Sequence, residues 1–430
     1  MQSARLVACR LLERAEKGAY SNIALEAELS RSGLDERDRA LAARLFYGVC
    51  ERKITLEHLL GAYLSRPIDK LDVPVRNALT VGAYQLLYMD SVPDSAAVNE
   101  SVNLVRAMKK SSAAGLVNAC LRSVIRDGKA IPPVTGDKFE KMAVEFSCPA
   151  GLIKRICEGY GEEKCRELLT YSLREPVNFL RVNSIKMTAG ELAESFKGRG
   201  IEAEVCGQDS AAVVCGNLRE VERDPDFKAG NFHVQDLSSQ LCCRAVDPRA
   251  GDLVIDLCAA PGGKSFTMAE IMGDRGRVIS CELHEKRTGL IRFGAKRLGL
   301  SCIEAVTLDG GKENPELPEA DRVLCDVPCS GYGVMGRKPE IRYKPLEDAD
   351  RLPEIQLKIL KGGARHVKKG GILVYSTCTV NRAENEGVVE RFLEENPEFE
   401  GAEFPEGMGE KFKGSFCKEV FTWVFWSDGF

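Results

Sequence analysis

Two cysteines set the chemical question. Cys329 sits in Asp326-Val-Pro-Cys-Ser-Gly and Cys378 in Tyr375-Ser-Thr-Cys, each just past an apolar run that reads as a β-strand. A lone cysteine in such a place is usually filler. Two at neighbouring strand ends, beside the acid Asp326 and the lysine Lys264, point to thiolate chemistry. Lys264 closes a third motif, Asp256-Leu-Cys-Ala-Ala-Pro-Gly-Gly-Lys, in which a strand turns through glycines into a helix. Such a turn lets a ligand approach the backbone N–H groups at the helix N-terminus.

The kind of ligand follows partly by elimination. A P-loop would need a glycine where Cys258 stands, although Gly263-Lys264-Ser265 supplies its end. The dinucleotide fingerprint Gly-x-Gly-x-x-Gly also fails, because Pro261-Gly262-Gly263 has the wrong spacing. What remains is an adenosyl ligand without a polyphosphate. Glu282, at the end of the next strand, can accept both ribose hydroxyls, and Asp309, one strand further, can accept from an adenine amino group. Taken singly, an acid at a strand end is more often a helix cap. Three in register beside a glycine turn make a ligand pocket.

The elements that must carry these residues form an alternating pattern from Gly251 onward. Apolar strands (LVIDL, RVISCEL, IEAVTLD, RVLCDVP, GILVYSTC) alternate with helix-length polar segments, which specifies a parallel sheet flanked by helices. Residues 1–127 read instead as helix throughout, with Leu41, Leu45, Phe46 and Val49, then Val75, Leu79, Gly82, Ala83 and Leu86, at helical spacing. Gly128 to Lys138 reads as a linker and residues 139–175 as helix again. From Val177 the pattern predicts a β-α-β-β unit: NFLRVN, then TAGELAESFKGRG as a helix, then IEAEVC and AAVVC. The expected domains are therefore a helical bundle over 1–130, linker helices with a small α+β unit over 139–240, and an α/β domain over 241–430.

Composition narrows the class. The chain of 430 residues is 44% hydrophobic and 29% charged with a net charge of −4, so a disordered or fibrous chain is excluded. That charge also argues against a surface that grips nucleic acid everywhere. Residues 1–130 hold 19 Lys and Arg against 15 Asp and Glu, a mild excess compatible with RNA contact or with ordinary variation between domains. The basic segment Arg337, Lys338, Arg342 and Lys344 suits phosphates beside the Pro-Cys motif, or is a surface charge cluster. No apolar run of about 18 residues offers a membrane span. The arginines interrupting MQSARLVACRLLERAEKG make it an amphipathic helix and not a signal peptide, so a cytoplasmic protein is expected. The 17 cysteines have no paired metal-ligand spacing and the four histidines are scattered, so reduced thiols and no metal are expected. The acidic stretch ENEGVVERFLEENPEFEGAEFPEGMGE reads as a solvated helix face and loop.

DLCAAPGGKS, DVPCSGYGVMGRKPEIRYK and YSTCTVNRAENE resemble the motifs of the RNA cytosine-C5 methyltransferase family, which uses S-adenosylmethionine (SAM). DRALAARLFYGVCERKITLEHLL, AAVNESVNLVRAMKK and GLVNACLRSVIR resemble the NusB antitermination fold. Together they are similar to the bacterial 16S rRNA (cytosine-C5) methyltransferase B (Sun/Fmu) type over nearly the whole chain. The resemblance implies an all-α NusB-like bundle, a small α+β middle domain and a Rossmann-like class I SAM-dependent methyltransferase domain. It implies that SAM is held by Cys258, Ala259, Ala260, Pro261, Gly262, Gly263, Lys264, Glu282, Asp309 and Asp326. It further implies Cys378 as the nucleophile and Cys329 as the residue that helps release product. The implied target is cytosine 967 of 16S rRNA, free or in a small-subunit assembly intermediate, acted on by a monomer. Arg181 and Asn183 lie where the family's middle domain contacts RNA, though as strand-end residues they could equally be structural.

The residues suit these roles on their own chemistry. Cytosine C5 is too weak a nucleophile to take a methyl group until something adds at C6, and a soft thiolate does that. Lys264 and the helix N-terminus could supply a field that favours the thiolate, and Asp326 can hydrogen-bond the N3/N4 edge of the base. Which group takes the C5 proton, Cys329 or water, is left open by the residues. Rival readings are a tRNA cytosine-C5 methyltransferase and a non-catalytic NusB-like RNA-binding or antitermination factor. The family continues past an Asp-Gly-Phe sequence into a final edge strand. Here the sequence stops at Asp428-Gly429-Phe430, so either the reading frame ends early or the sheet closes differently.

Overall fold

A computed structural model describes residues 3–16, 28–29, 31–207, 209–216, 218, 221–402 and 405. The chain-end strand discussed above, and the acidic stretch from residue 406, lie outside the described residues. The chain divides into two compact units, Met1–Leu173 with Lys338–Lys344, and Arg174–Arg337 with Pro345–Phe430.

The first unit is helical. It comprises α1 (Ala4–Glu16), α2 (Glu36–Gly61), α3 (Val73–Tyr88), α4 (Asp94–Ala107) and α5 (Ala114–Arg126), followed by α6 (Lys138–Phe146), α7 (Ala150–Tyr160) and α8 (Glu162–Tyr171). Local chemistry sets the helix starts. The Asp35 carboxylate accepts from the Asp38 amide ahead of α2, and Asp137 with Glu140 forms a capping box for α6. In α3, Val75, Ala78, Leu79, Val81, Ala83 and Leu86 are all buried, an apolar surface too broad for an outer helix. It is the bundle's centre, packed by α1, α2, α4 and α5. The core includes Leu45, Leu56, Leu59, Leu79 and Leu121, each contributing about 1.5–3 kcal/mol by leaving water. Residues 139–173, expected to go with the middle α+β segment, pack in this helical unit.

The second unit opens with β1 (Asn178–Val182), α9 (Ala189–Gly198), β2 (Ala203–Val205), β3 (Ala212–Cys215) and β4 (Phe232–Val234). These strands form an antiparallel sheet in the order β2-β3-β1-β4. A Thr188/Glu191 capping box starts α9, whose Leu192, Ala193 and Phe196 close over Leu180, Val182, Val213 and Phe232. The β-α-β-β expectation holds. The fourth strand was not legible, because three residues are too few for alternation to show; pairing with Leu180 to Val182 recruits them.

After α10 (Leu237–Val246) the alternating segment runs β5 (Leu253–Asp256), α11 (Gly263–Ile271), β6 (Arg277–Glu282), α12 (Glu285–Leu298), β7 (Ile303–Thr307), β8 (Ala320–Asp326), α13 (Leu352–Ala364), β9 (Val367–Ser376) and α14 (Glu386–Glu395). The five strands predicted from apolar runs all form, wholly parallel, in the order β7-β6-β5-β8-β9. Both faces are covered by apolar clusters, one around Val254, Val278 and Leu324 and the other around Ile255, Ile279 and Cys325. That double burial is why these strands read as continuous apolar runs. The chain leaves β5 toward β6 on one side and adds β8 on the other, so a crevice opens at their carboxyl ends.

Candidate active site

Lys264, in the first turn of α11 just past the glycine turn, reaches across that crevice to Asp326 at the end of β8. Its Nζ donates to Asp326 Oδ2 at 2.7 Å and to Ser239 Oγ at 3.3 Å. Ser376, at the end of β9, donates its hydroxyl to Asp326 Oδ1 at 2.8 Å. Burial is the largest influence and works against the Lys264 charge, but the charge and hydrogen bond of Asp326, together with Cys242 and Cys243, outweigh it and hold the ammonium above its ordinary pKa.

The cysteine pair follows from strand register. Asp326 lies opposite Ser376, so the Pro-Cys and Thr-Cys turns leave the sheet side by side. They bring Cys329 Sγ to 3.2 Å from Cys378 Sγ, and the Cys378 amide donates to Cys329 Sγ at 3.3 Å. Cys378 is exposed and Cys329 half-buried. Hydrogen bonding to Cys378, then desolvation, raises the Cys329 thiol well above the usual range, so it keeps its proton at neutral pH.

Two close approaches shape the adjoining turns. Gly262 has φ +115°, and a Cβ there would fall 2.2 Å from the Phe266 ring. No other residue type fits that turn without distortion. Gly362 of α13 lies against the Asp309 turn so tightly that a Cβ would meet Gly310 O at 2.1 Å. Beneath the glycine turn Asp256 is fully buried and accepts from Ser265 Oγ at 2.7 Å, which in turn accepts from Ser280 Oγ at 2.8 Å. Burial pushes the Asp256 carboxyl up to about 7.

The donors and acceptors around the turn fit SAM. Cys258 to Gly263 form the loop entering α11, with the Ala260–Pro261 peptide cis. Glu282 ends β6, where its Oε1 accepts from the His284 amide at 3.0 Å and from Arg287 at 3.2 Å; Arg287 also donates to Ala260 O at 2.9 Å. Half-buried Asp309 accepts from the Gly311 amide at 3.0 Å. Acceptors predominate at the mouths of β6, β7 and β8, which matches a cationic ligand rich in hydroxyl and amino donors. Glu282, Asp309 and Asp326 would hold it.

Three of the six arginine, lysine and asparagine residues expected to meet RNA are structural instead. Arg181 is 3% exposed, with Nε donating to Glu270 at 3.0 Å and Nη1 3.6 Å from Asp209. Asn183 is 0% exposed and donates to Gly230 O and Leu298 O at 3.0 and 2.9 Å. Both side chains are turned inward to satisfy buried acceptors, which is why neither can reach a phosphate. Arg342, 1% exposed, donates to the carbonyls of Glu51, Phe146 and Ser147 within the helical unit. Arg337 is half-buried, donating to Val177 O at 2.6 Å and pairing with Asp236 at 2.5 Å. Lys338 is exposed and Lys344 half-buried. Removing Arg181 leaves Glu270 and Asp209 buried without it. Arg181→Ala should therefore destabilise the protein by about 3 kcal/mol in urea unfolding, with rRNA affinity of the folded variant within about threefold. A large affinity loss without destabilisation would restore the RNA-contact reading.

The residue that sequence reasoning passed over is Glu384. It lies inside the quoted YSTCTVNRAENE segment, whose density of polar residues immediately after a strand was the available signal.

Residues 243–426 match the 16S rRNA methyltransferase RsmB/F family and residues 2–126 the NusB family. The chain is 38% identical over 404 residues to the probable ribosomal RNA small subunit methyltransferase B of Bacillus subtilis, covering 93% of this chain and 90% of the relative. It is 31% identical over 372 residues to the Klebsiella pneumoniae ribosomal RNA small subunit methyltransferase B, covering 85% and 84%. Among solved structures, PH0851 superposes with a TM-score of 0.78 at 21% identity over 95% of this chain and 93% of that one. NSun6 from Pyrococcus horikoshii, solved with SFG, gives a TM-score of 0.55 at 21% identity over 60% and 89%. A helical NusB domain joined to a parallel-sheet domain with a SAM-type crevice, and this degree of identity over nearly the full length, place the chain in the ribosomal RNA small subunit methyltransferase B family, SAM-dependent rRNA methyltransferases.

Proposed function

We propose that the protein methylates C5 of a single cytosine of 16S rRNA, position 967 in the conventional numbering, through a covalent bond between Cys378 and C6. The observation that carries this reading is the 3.2 Å contact between the two sulfurs at the mouths of adjacent strands, beside the Lys264–Asp326 pair.

The target base leaves its stack to reach the crevice. The exposed Cys378 thiolate attacks C6, which makes C5 electron-rich. Asp326 accepts from the exocyclic amine and orients the ring, while Lys264 and Ser376 hold that carboxylate in place. Bound SAM supplies the methyl group to C5. A water molecule then takes the C5 proton, the C–H electron pair re-forms the C5–C6 double bond, and the C6–S bond breaks with its pair on the Cys378 sulfur. Cys329, a thiol at 3.2 Å, is placed to hand its proton to that departing sulfur. Exposed Lys338 serves as a phosphate contact.

Mapping 5-methylcytosine across ribosomal and transfer RNA, in cells with and without the gene, tests the assignment. Loss of one 16S site with tRNA unchanged is expected. Loss confined to tRNA would overturn it.

A further inference from the structure

We propose that Glu384 is a positioning residue that clamps the Pro-Cys turn to the Thr-Cys turn and so holds Cys329 against Cys378. The proposal rests on the reading above, in which the two cysteines are the reacting pair.

Glu384 is 0% exposed. Its Oε2 accepts from the Ser330 amide at 2.9 Å and from Gln356 Nε2 at 2.9 Å. Its Oε1 accepts from Ser330 Oγ at 2.5 Å and from Asn381 Nδ2 at 2.9 Å. Gln356 also donates to Pro328 O at 2.9 Å, so the residue before Cys329 and the residue after it are tied to one carboxylate. On the other side, Ser330 Oγ bonds Thr379 Oγ1 at 2.6 Å, immediately after Cys378, and Tyr375 OH donates to Glu384 O at 2.6 Å. Thr377, immediately before Cys378, donates to Asn385 at 2.6 Å. Each cysteine is thus flanked on both sides by a residue tied to Glu384, directly at Ser330, through Gln356 at Pro328, and through the adjoining Asn385 at Thr377 and Thr379.

The chemistry demands a carboxylate here. All four partners offer hydrogens to it, and both of its oxygens are filled twice. A glutamine of the same shape would turn an NH2 group toward two donors. The negative charge has a second effect. The titratable groups around Cys329 are Cys378, Glu384 and the Tyr375 phenol, and the Glu384 charge helps keep Cys329 protonated. The clamp therefore bears on both the position and the protonation of the second sulfur.

The experiment uses Glu384→Gln in the full chain. Two quantities are read: kcat and KM for methyl transfer to rRNA, and the pH dependence of iodoacetamide alkylation at Cys329, followed by mass spectrometry without RNA or SAM. Displacing one sulfur by about 1 Å should lower kcat about 100-fold with KM for SAM little changed. The alkylation midpoint of Cys329 should move to lower pH. Because the clamp holds Cys329 against the thiol whose hydrogen bond raises it most, an unmoved midpoint overturns the proposal, as does a kcat within about threefold of wild type. Should Glu384→Gln fail to fold, Asn381→Ala, which removes one donor, is read in the same two ways. A smaller change of the same sign supports the clamp and none rejects it. The alkylation result does not depend on catalysis, so it stands or falls separately from the assignment of Cys378 as nucleophile.

Discussion

Cys378→Ala should lose methyl transfer by a factor on the order of 10⁶, the scale on which removal of an attacking side chain disables a covalent mechanism. Cys329→Ala should behave differently. It retains the attacking sulfur, so the C6 adduct still forms, but the proton 3.2 Å away is gone and the product is slow to leave. With rRNA and SAM, the Cys329→Ala protein is expected to run on a denaturing gel as a covalent RNA complex. Cys378→Ala and the double variant should give none. The asymmetry follows from the environments: Cys378 is exposed at the crevice, whereas Cys329 is half-buried and raised well above the ordinary thiol range. If Cys378→Ala still formed 5-methylcytosine, or if the complex accumulated in Cys378→Ala instead, the roles would be wrong.

Asp326→Asn should lower the single-turnover rate of methyl transfer by about 10²–10³, the loss typical of one preorganised polar group aimed at developing charge. Both carboxylate oxygens are engaged, Oδ2 by Lys264 and Oδ1 by Ser376. An amide can keep one of those bonds and must turn its NH2 toward the other donor. It also strips Lys264 of the charge that holds its ammonium, in a site where burial already opposes the charge. Single-turnover methyl transfer at saturating RNA reads the rate, and calorimetric titration with SAM reads cofactor binding. A rate within about threefold of wild type would remove Asp326 from the reaction and leave it a structural partner of Lys264.

How far the site could be read beforehand depended on whether a residue's role is local. The strand-end acids, the glycine turn and both cysteines were legible, because a strand of one burial pattern delivers the next residues to its own carboxyl end. Arg181, Asn183 and Arg342 were not, because the strand and turn positions they occupy look alike whether the side chain faces solvent or the interior. The acceptors that turn them inward, Glu270, Leu298 O and the Glu51 carbonyl, lie 89, 115 and 291 residues away in sequence. Glu384 escaped notice for the same reason. Its four donors come from Ser330, Gln356 and Asn381, of which only Asn381 is near in sequence.

By itself, the order of residues determined the helical bundle, the five parallel strands and the chemical character of the crevice. Periodicity and turn chemistry act over a few residues, and a strand buried on both faces has only apolar ways to be written. Tertiary structure alone decided which basic residues reach solvent, which carboxylate binds the Pro-Cys and Thr-Cys turns together, and that two sulfurs 49 residues apart in sequence touch. Those outcomes depend on strand register and on partners remote in the chain, and no short-range pattern encodes either.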